Sequence, residues 1–415
     1  MRRLFLGVLV LFLCGWLGRA AAGQIEISFM NWSSTEEVMR PILKVIEDFE
    51  KENPGLKIKN IPIGVGDIRN QLMVMTMGGN PPDVIQLHGG DAIYVYHADA
   101  LLPAEELYDK SFTDNLFDEF YQETWTGDVH AGILWGPQTL TFAYNKQILK
   151  QLGYEAPPKT LAEMEEMMKK GKDAIPDLIG FQLDTTIRTI GLAHVWSFMN
   201  SFEYEVIKGK VSKFNSPAMV EFGEWIRRMV KLGYTLPGKR FGEFRPLAAN
   251  GRVMFCLDGS HKGQMKAFKK GMTDAEYDEM FAAAPLPAGP IGRHLSAPDD
   301  HSLVVSRKTR NKEAAAKFVR YLTESKSALT QYHDACGFLP PVKNYREVAP
   351  GCFEDASRQG TLKYAVPNIV MPPYGPHYVD IAQEVMTAIQ EIITTDKPVK
   401  QILDAYQPKI AEIIK

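Results

Sequence analysis

The sequence predicts an α/β protein built as two lobes, on three observations. Of its 415 residues, roughly 390 remain after a removable leader, more than one hydrophobic core usually organises. Short apolar strands alternate with amphipathic helices along the chain, the pattern of sheets covered by helices on both faces. Polar and aromatic residues recur where those strands end, which is where open α/β sheets hold ligands.

The N-terminus is read first. "MRRLFLGVLVLFLCGWLGRAAAG" sets Arg2 and Arg3 before an apolar stretch from Leu4 to Leu13 and small residues at Ala20–Ala22. That order is a secretory signal peptide, spanning 1–22. A membrane anchor is disfavoured, because the uncharged stretch Leu4–Gly18 falls short of the ~20 apolar residues a span needs. A lipid-modified Cys14 is disfavoured by the bulky Leu13 before it. The whole chain has 47 basic and 50 acidic residues; loss of Arg2, Arg3 and Arg19 leaves 44 against 50, or −6. Such a balance gives no global attraction for nucleic acid or anionic membranes.

The next segment, "SFMNWSSTEEVMRPILKVIEDFEKENPG", starts as a strand ending on Trp32. Two overlapping capping boxes, Ser33-x-x-Glu36 and Ser34-x-x-Glu37, open a helix. Val38, Ile42, Val45, Ile46 and Phe49 repeat at helical spacing, Pro41 bends the start, and Asn53-Pro54-Gly55 stops it. "LKIKNIPI" reads as a strand, "DIRNQLMVMTMGG" as a helix, and "PPDVIQL" as a buried strand delivering "HGGDA". This β-α-β-α-β order predicts a largely parallel sheet.

Farther along, "GILWGPQTLTFAYNKQILKQLG" reads as strand, break, strand, helix. "KTLAEMEEMMKKGKD" is a capped helix, and "SPAMVEFGEWIRRMVKLG" has Ser216 as cap, Pro217 at the first helical position and Gly233 past the end. "RVMFCLDGS" and "HSLVVS" are strands separated by the proline-rich break Pro285–Pro290, and the tail is helical. Three cysteines follow the leader. Cys256 stands alone, while Cys336 and Cys352 are close enough in sequence to form a disulfide in an oxidising compartment, the alternative being two buried thiols. No C-x-x-C or H-x-x-x-H spacing points to a metal, and no cofactor is expected.

Secretion, two α/β lobes and polar strand ends together resemble the periplasmic solute-binding proteins of ABC transporters, and within them the carbohydrate-binding group. The resemblance is carried by "FMNW", "FEKENPGLKI", "GGNPPDVIQL", "GILWGPQTLTFAYNKQIL", "RVMFCLDGS", "SLVVSRKTRNKEAAAKFVRYLTES" and "GFLPPVKNY". It implies the periplasmic-binding-protein fold, with three crossings between lobes near Gly136–Thr139, Pro285–Pro290 and Cys336–Pro341. The N-terminal lobe would comprise 23–136 plus 288–335, and the C-terminal lobe 137–287 plus 336–415. It further implies export to the periplasm, a monomer, a small ligand between the lobes and membrane permease subunits as partners.

A neutral sugar or polyol presents hydroxyls in many directions and apolar C–H faces. Its site needs carboxylates, amides and imidazoles for hydrogen bonds, with aromatic rings for stacking. The first-lobe candidates are Trp32, Ser33, His88 and Asp91, with Gln71 a weaker one; Ser33 and Ser34 are already explained by capping. Trp135 and Gln138 flank the first crossing. The second lobe offers Trp196 (with His194 beside it), Asp258, Ser260 and His261, and the returning segment "APDDHSLVVS" supplies Asp300 and His301. Tyr374 resembles the aromatic that closes such pockets, with His377 and Tyr378 nearby. Arg188 or Arg245 in the site would shift the expectation to a sugar acid or phosphate, which arginine matches bidentately. The alternatives are a phosphorylated polyol, organic acid or polyamine on the same scaffold, and a secreted hydrolase using Asp258 or Asp300 with His261 or His301. No G-x-S-x-G elbow, zinc spacing or fixed acid pair supports the hydrolase, so no catalytic residue is assigned.

Overall fold

A computed structural model describes residues 24–33, 36–64 and 67–415; the leader at 1–22 and the Ser34 cap lie outside them. The chain begins β1 (Ile25–Asn31), α1 (Glu36–Glu52), β2 (Leu56–Pro62), α2 (Ile68–Met77), β3 (Val84–Leu87) and α3 (Gly89–His97). It continues with β4 (Leu101–Leu102), β5 (Ile133–Gly136), β6 (Thr141–Asn145), β7 (Ile179–Phe181) and α4 (Thr189–Phe202). The later elements used below are α5 (Phe241–Ala249), β8 (Val253–Asp258), α6 (His261–Phe268), β9 (Phe281–Ala284), β10 (His301–Ser306), α7 (Lys312–Glu324) and α8 (Tyr378–Thr394). Among the described residues no helix is long and apolar enough to cross a membrane.

Two sheets organise the lobes. The first has the order β2-β1-β3-β10-β4, with β5 also paired to β10. Strand β1 is parallel to β2 and β3 as expected. Strand β10 is antiparallel to β3, because the chain re-enters beside the end where β3 leaves, with Ser302 opposite Leu87. The second sheet, β9-β6-β8-β7, departs further from the expectation: β6 is antiparallel to both its neighbours, and only β8 and β7 run parallel.

Side-chain alternation along β1 assigns its two faces. Ile27 and Phe29 enter one core with Ile42, Val45 and Phe49 of α1 and Phe318 of α7. Met30 and Trp32 enter the opposite one with Ile68 and Leu72 of α2 and Ile93 of α3.

The same logic corrects the expectation for Trp135. Its indole points into the α1/α7 core, fully buried, parallel to Tyr332 at 4.6 Å and donating Nε1–H to the Leu322 carbonyl at 2.9 Å. Strand position had made it resemble Trp32, but it lies on the other face of the sheet.

The crossings are also placed differently. Residues 288–291 still hold the second lobe: Ala288 bonds to Lys159 and Leu161, and Ile291 N donates to Ser201 O. The chain crosses at 297–300, zipped against 137–140 by Leu140 N to Ala297 O and Asp299 N to Gln138 O, with Thr139 opposite Pro298. After Cys336, the residues Phe338, Leu339, Val342, Tyr345 and Phe353 join the first core. Their return to the second lobe is marked by Gly360, which packs on Ala283 of β9. Residues 288–291 are thus bonded to the segments around 159–161 and 201, and residues 338–353 pack with α1 and α7, unlike the division expected from the sequence.

No disulfide joins Cys336 to Cys352. Both are free thiols, as is Cys256. Cys336 is turned into the first core, where burial pushes its thiol up to about 12. Cys352 is half-buried at the edge of that core, near Asp334.

Candidate ligand-binding cleft

A cavity of about 150 Å³ lies where both lobes and two crossings meet. The first lobe contributes Trp32, His88 and His301; the crossings contribute Gln138 and Asp299; the second lobe contributes Phe241, Arg245, Ser260, Gln264 and Phe268.

On the first-lobe side, three rings are locked together. Trp32 stacks on His88 at 4.8 Å, and His301 meets the Trp32 ring edge-on at 4.6 Å. Their orientation is fixed from behind. His88 Nδ1–H donates to the Asp300 carbonyl at 2.9 Å, leaving Nε2 as the nitrogen able to meet a ligand. The buried Gln86 amide donates to His301 Nδ1 at 3.1 Å while its oxygen accepts from the Trp32 backbone N–H. Burial, with His88 and Arg245 adding, pushes His301 well below the usual imidazole range, so it is neutral.

Asp300 is turned away from the cavity. Its carboxylate accepts from Gly89 N at 3.2 Å and from the Ser302 hydroxyl at 2.9 Å, which makes it a support for His88 and the start of α3. Behind it, burial and the Asp300 charge push the Glu123 carboxyl far up, so it is protonated.

The crossings form the floor. A Cβ built on Gly259 would lie 2.1 Å from Gln138 Oε1 and 2.5 Å from Asp299 Oδ2, so only glycine lets these two side chains meet there. Gln138 Nε2 is buried with no hydrogen-bond partner among the described residues. No described residue donates a hydrogen bond to the Asp299 carboxyl. Burial pushes that carboxyl up to about 7; Asp258 and Asp300 add to the shift, while His88 and Arg245 oppose it. A buried donor without a partner, beside a carboxyl that accepts no hydrogen bond from a described residue, suits a polar ligand.

The second-lobe side carries charge that is already compensated. Arg245 grips Asp258 with two bonds of 2.9 and 2.8 Å and covers the Phe241 ring at 4.6 Å. Burial opposes ionisation of Asp258, but Arg245 outweighs it and holds the carboxyl below its ordinary range. Gln264 and Phe268 lie one turn apart on α6 and share its cavity-facing side.

Trp32 and His88 also line a second cavity of about 260 Å³, walled by Arg69, Asp91, Arg188 and Thr189. There Arg69 binds Asp91 at 2.8 Å and Arg188 binds Asp184 at 2.7 Å. The Thr189 hydroxyl reaches across to Asp91 at 3.4 Å.

Of the residues expected at the site, Trp32, His88, Gln138 and His301 converge on the inner cavity, and Asp91 faces the outer one. Ser33 is buried, its N–H bonded to Asn31 Oδ1, and it borders neither cavity. His261 is turned behind the wall: Nδ1 bonds Tyr277 Oη at 2.8 Å, its ring meets Phe281 edge-on, and burial lowers it to about 4. Asp258 supports Arg245 without lining the cavity. Trp196 is fully buried in the second core, and Gln71 is exposed on α2. Tyr374 packs edge-on against Tyr378 and borders, with Trp196, a separate open groove.

Asp299, Phe241, Gln264 and Phe268 were missed. Extended-chain alternation carried a signal for one of them: Asp299 and His301 stand two apart and share a side, with Asp300 opposite.

The family model for bacterial extracellular solute-binding proteins matches residues 44–356. The multiple sugar-binding protein of Streptococcus mutans is 24% identical over 348 residues, covering 78% of this chain and 77% of that protein. An ABC transporter solute-binding protein from Thermotoga lettingae, solved with α-D-tagatose, superposes with a TM-score of 0.82 at 18% identity, over 95% of this chain and all of that one. Maltose-bound MalE3 of T. maritima gives a TM-score of 0.80 at 18% identity, over 94% of this chain and all of that one. At these identities the structural likeness is one of fold.

Proposed function

The chain belongs to the bacterial extracellular solute-binding proteins, and from that premise we propose that it captures a saccharide or polyol between its lobes. It then delivers that ligand to the membrane permease of an ABC importer. One observation supports the ligand class above the rest: the stacked Trp32–His88 pair lines the same cavity as the Asp299 carboxyl and Gln138, whose Nε2 has no hydrogen-bond partner among the described residues. Aromatic faces suit sugar C–H surfaces, and the two polar groups suit hydroxyls that both donate and accept. The named ligands of the relatives, multiple sugars, tagatose and maltose, fall in the same class.

The lobes hinge about 137–140 and 297–300, and a ligand touching both walls and the floor favours the closed form. Export by the 1–22 leader places the mature protein, a monomer, outside the inner membrane. Arg245 in the cavity wall keeps a phosphorylated polyol as the second reading, although Asp258 already neutralises it. A thermal-shift screen of monosaccharides, disaccharides, polyols, polyol phosphates and polyamines tests the assignment. Stabilisation by a neutral sugar or polyol is expected; stabilisation by a phosphate ester or polyamine alone would overturn it. Turnover of glycosides or esters by the purified protein would instead make it an enzyme.

A further inference from the structure

The middle of the first sheet carries a polar side chain that the sheet itself does not use. Gln86 lies on β3, between β1 and β10, and is fully buried. A buried amide costs stability unless it is bonded. This one reaches the ends of both neighbouring strands. Its oxygen accepts from the N–H of Trp32, just after β1, at 3.3 Å, and its Nε2 lies 3.1 Å from Nδ1 of His301, the first residue of β10.

That arrangement fixes a proton. The Trp32 N–H only donates, so the amide oxygen must face it and the NH2 group must face His301. Nδ1 of His301 is therefore an acceptor, and the single ring proton of this neutral imidazole sits on Nε2.

His88 has the opposite assignment. The Asp300 carbonyl only accepts, so Nδ1 holds the proton, and in the neutral ring Nε2 is an acceptor. Both rings line the same cavity, with centroids 5.6 Å apart and planes at 81°. Nε2 of neither ring bonds to a described residue, and neither nitrogen is sealed from solvent. His194, His261 and His333 differ, since each has a ring nitrogen buried without a partner among the described residues.

Resting on the saccharide reading above, we infer that Gln86 is a specificity-determining positioning residue: it holds the His301 proton on Nε2, so that the cavity presents an imidazole donor beside the imidazole acceptor of His88. The pair matches a hydroxyl-bearing edge of the ligand, whose oxygens both accept and donate. A deoxy analogue leaves ring nitrogens unpaired without needing more room, so it is rejected on hydrogen bonding alone.

Long-range 1H–15N correlation NMR of the mature protein labelled with 15N-histidine reads the tautomers at pH 8, above the ordinary imidazole range. His88→Gln and His301→Gln assign the signals. The proton is expected on Nε2 of His301 and on Nδ1 of His88. In Gln86→Met, His301 becomes a mixture of both tautomers while His88 stays as it was. A wild-type His301 protonated on Nδ1, or one that Gln86→Met leaves unchanged, overturns the inference, and the wild-type spectrum decides even if the variant does not fold.

Isothermal titration with D-glucose, D-tagatose and maltose, and with their monodeoxy analogues, reads the specificity. One deoxy position is expected to cost at least tenfold in the wild type. Gln86→Met should weaken the parent sugar about tenfold and that analogue less than threefold, because the contact is already gone. Equal losses for both make Gln86 purely structural and overturn the inference, leaving the saccharide reading intact. If neither these three nor any other sugar or polyol of the thermal-shift screen binds, the saccharide reading falls and the specificity role with it, while the NMR spectrum still decides where the His301 proton sits.

Discussion

The two walls of the cleft are made in different ways. The first-lobe wall is an extension of a sheet core: Trp32 is only 8% exposed, packed in the α2/α3 cluster and locked to His88 and His301. The second-lobe wall is made of helix surface, with Phe268 43% exposed and a buried ion pair supplying its rigidity. A wall grown from the core is preorganised by packing, so altering it affects folding and binding together. A wall made of helix surface can be altered in binding with little effect on folding, except at the ion pair.

The sharpest way to break this contrast is Arg245→Ala, which leaves the fully buried Asp258 without its partner. Stability is expected to fall by roughly 3–5 kcal/mol, as for other buried pairs cut on one side. Urea unfolding measures it; a loss below 1 kcal/mol would show that water already solvates Asp258.

Next in size is Trp32→Ala, expected to cost about 3 kcal/mol of stability. Trp32→Leu keeps much of the burial but removes the ring, and about tenfold in affinity should go with it. Unchanged titration isotherms for the leucine variant would return Trp32 to a purely structural role.

Gly263→Ala probes how the walls meet. Its Cβ would stand 2.2 Å from the Cys336 carbonyl across the cleft. The variant should fold with near-native unfolding curves yet stay open, so small-angle scattering shows less compaction with ligand and affinity drops about tenfold.

A pH effect should follow from the floor. The Asp299 carboxyl sits near 7 in the empty protein, and a ligand hydroxyl donating to it favours the ionised form. Affinity then rises from pH 6 to pH 8. Stability of the empty protein runs the other way: a carboxyl whose folded value lies above its unfolded one contributes fully at low pH and loses that contribution as pH rises through 7. Asp299→Asn flattens both curves; an unchanged slope in the variant would assign the effect to other groups. The smallest effect belongs to Phe268→Ala, whose half-exposed ring should alter stability by less than about 1 kcal/mol and affinity severalfold.

Much of the first lobe could be read in advance because its strands follow one another and end in distinctive residues. Trp32 and His88 stood out as residues following strands and His301 as one opening a returning strand, and all three line the candidate cavity. Trp135 had the same sequence setting and went to the opposite face, since which side of a sheet a residue takes depends on its register against neighbours. The second lobe was less legible: β6, β8 and β9 pair from distant parts of the chain, and no local signal states their direction. The crossing at 297–300 was hidden by the prolines upstream, which turn the chain while it is still bound to Lys159 and Ser201. His261 was aimed at the ligand by its place after β8, whereas helix α6 turns it toward Tyr277.

The zipped pair of crossings has a consequence for the order of events. Gln138 and Asp299 lie on the axle itself, where rotation moves atoms least, while Trp32 and Phe268 lie on the swinging jaws. On the proposed hinge, an arriving ligand is read by the axle in the open state, and the jaws shut on what the axle has accepted. Capture and closure are then separate steps: stopped-flow Trp fluorescence should show a concentration-dependent phase followed by a concentration-independent one. Asp299→Asn slows or weakens the first and Gly263→Ala the second, and a single phase in all three proteins would rule the sequence out.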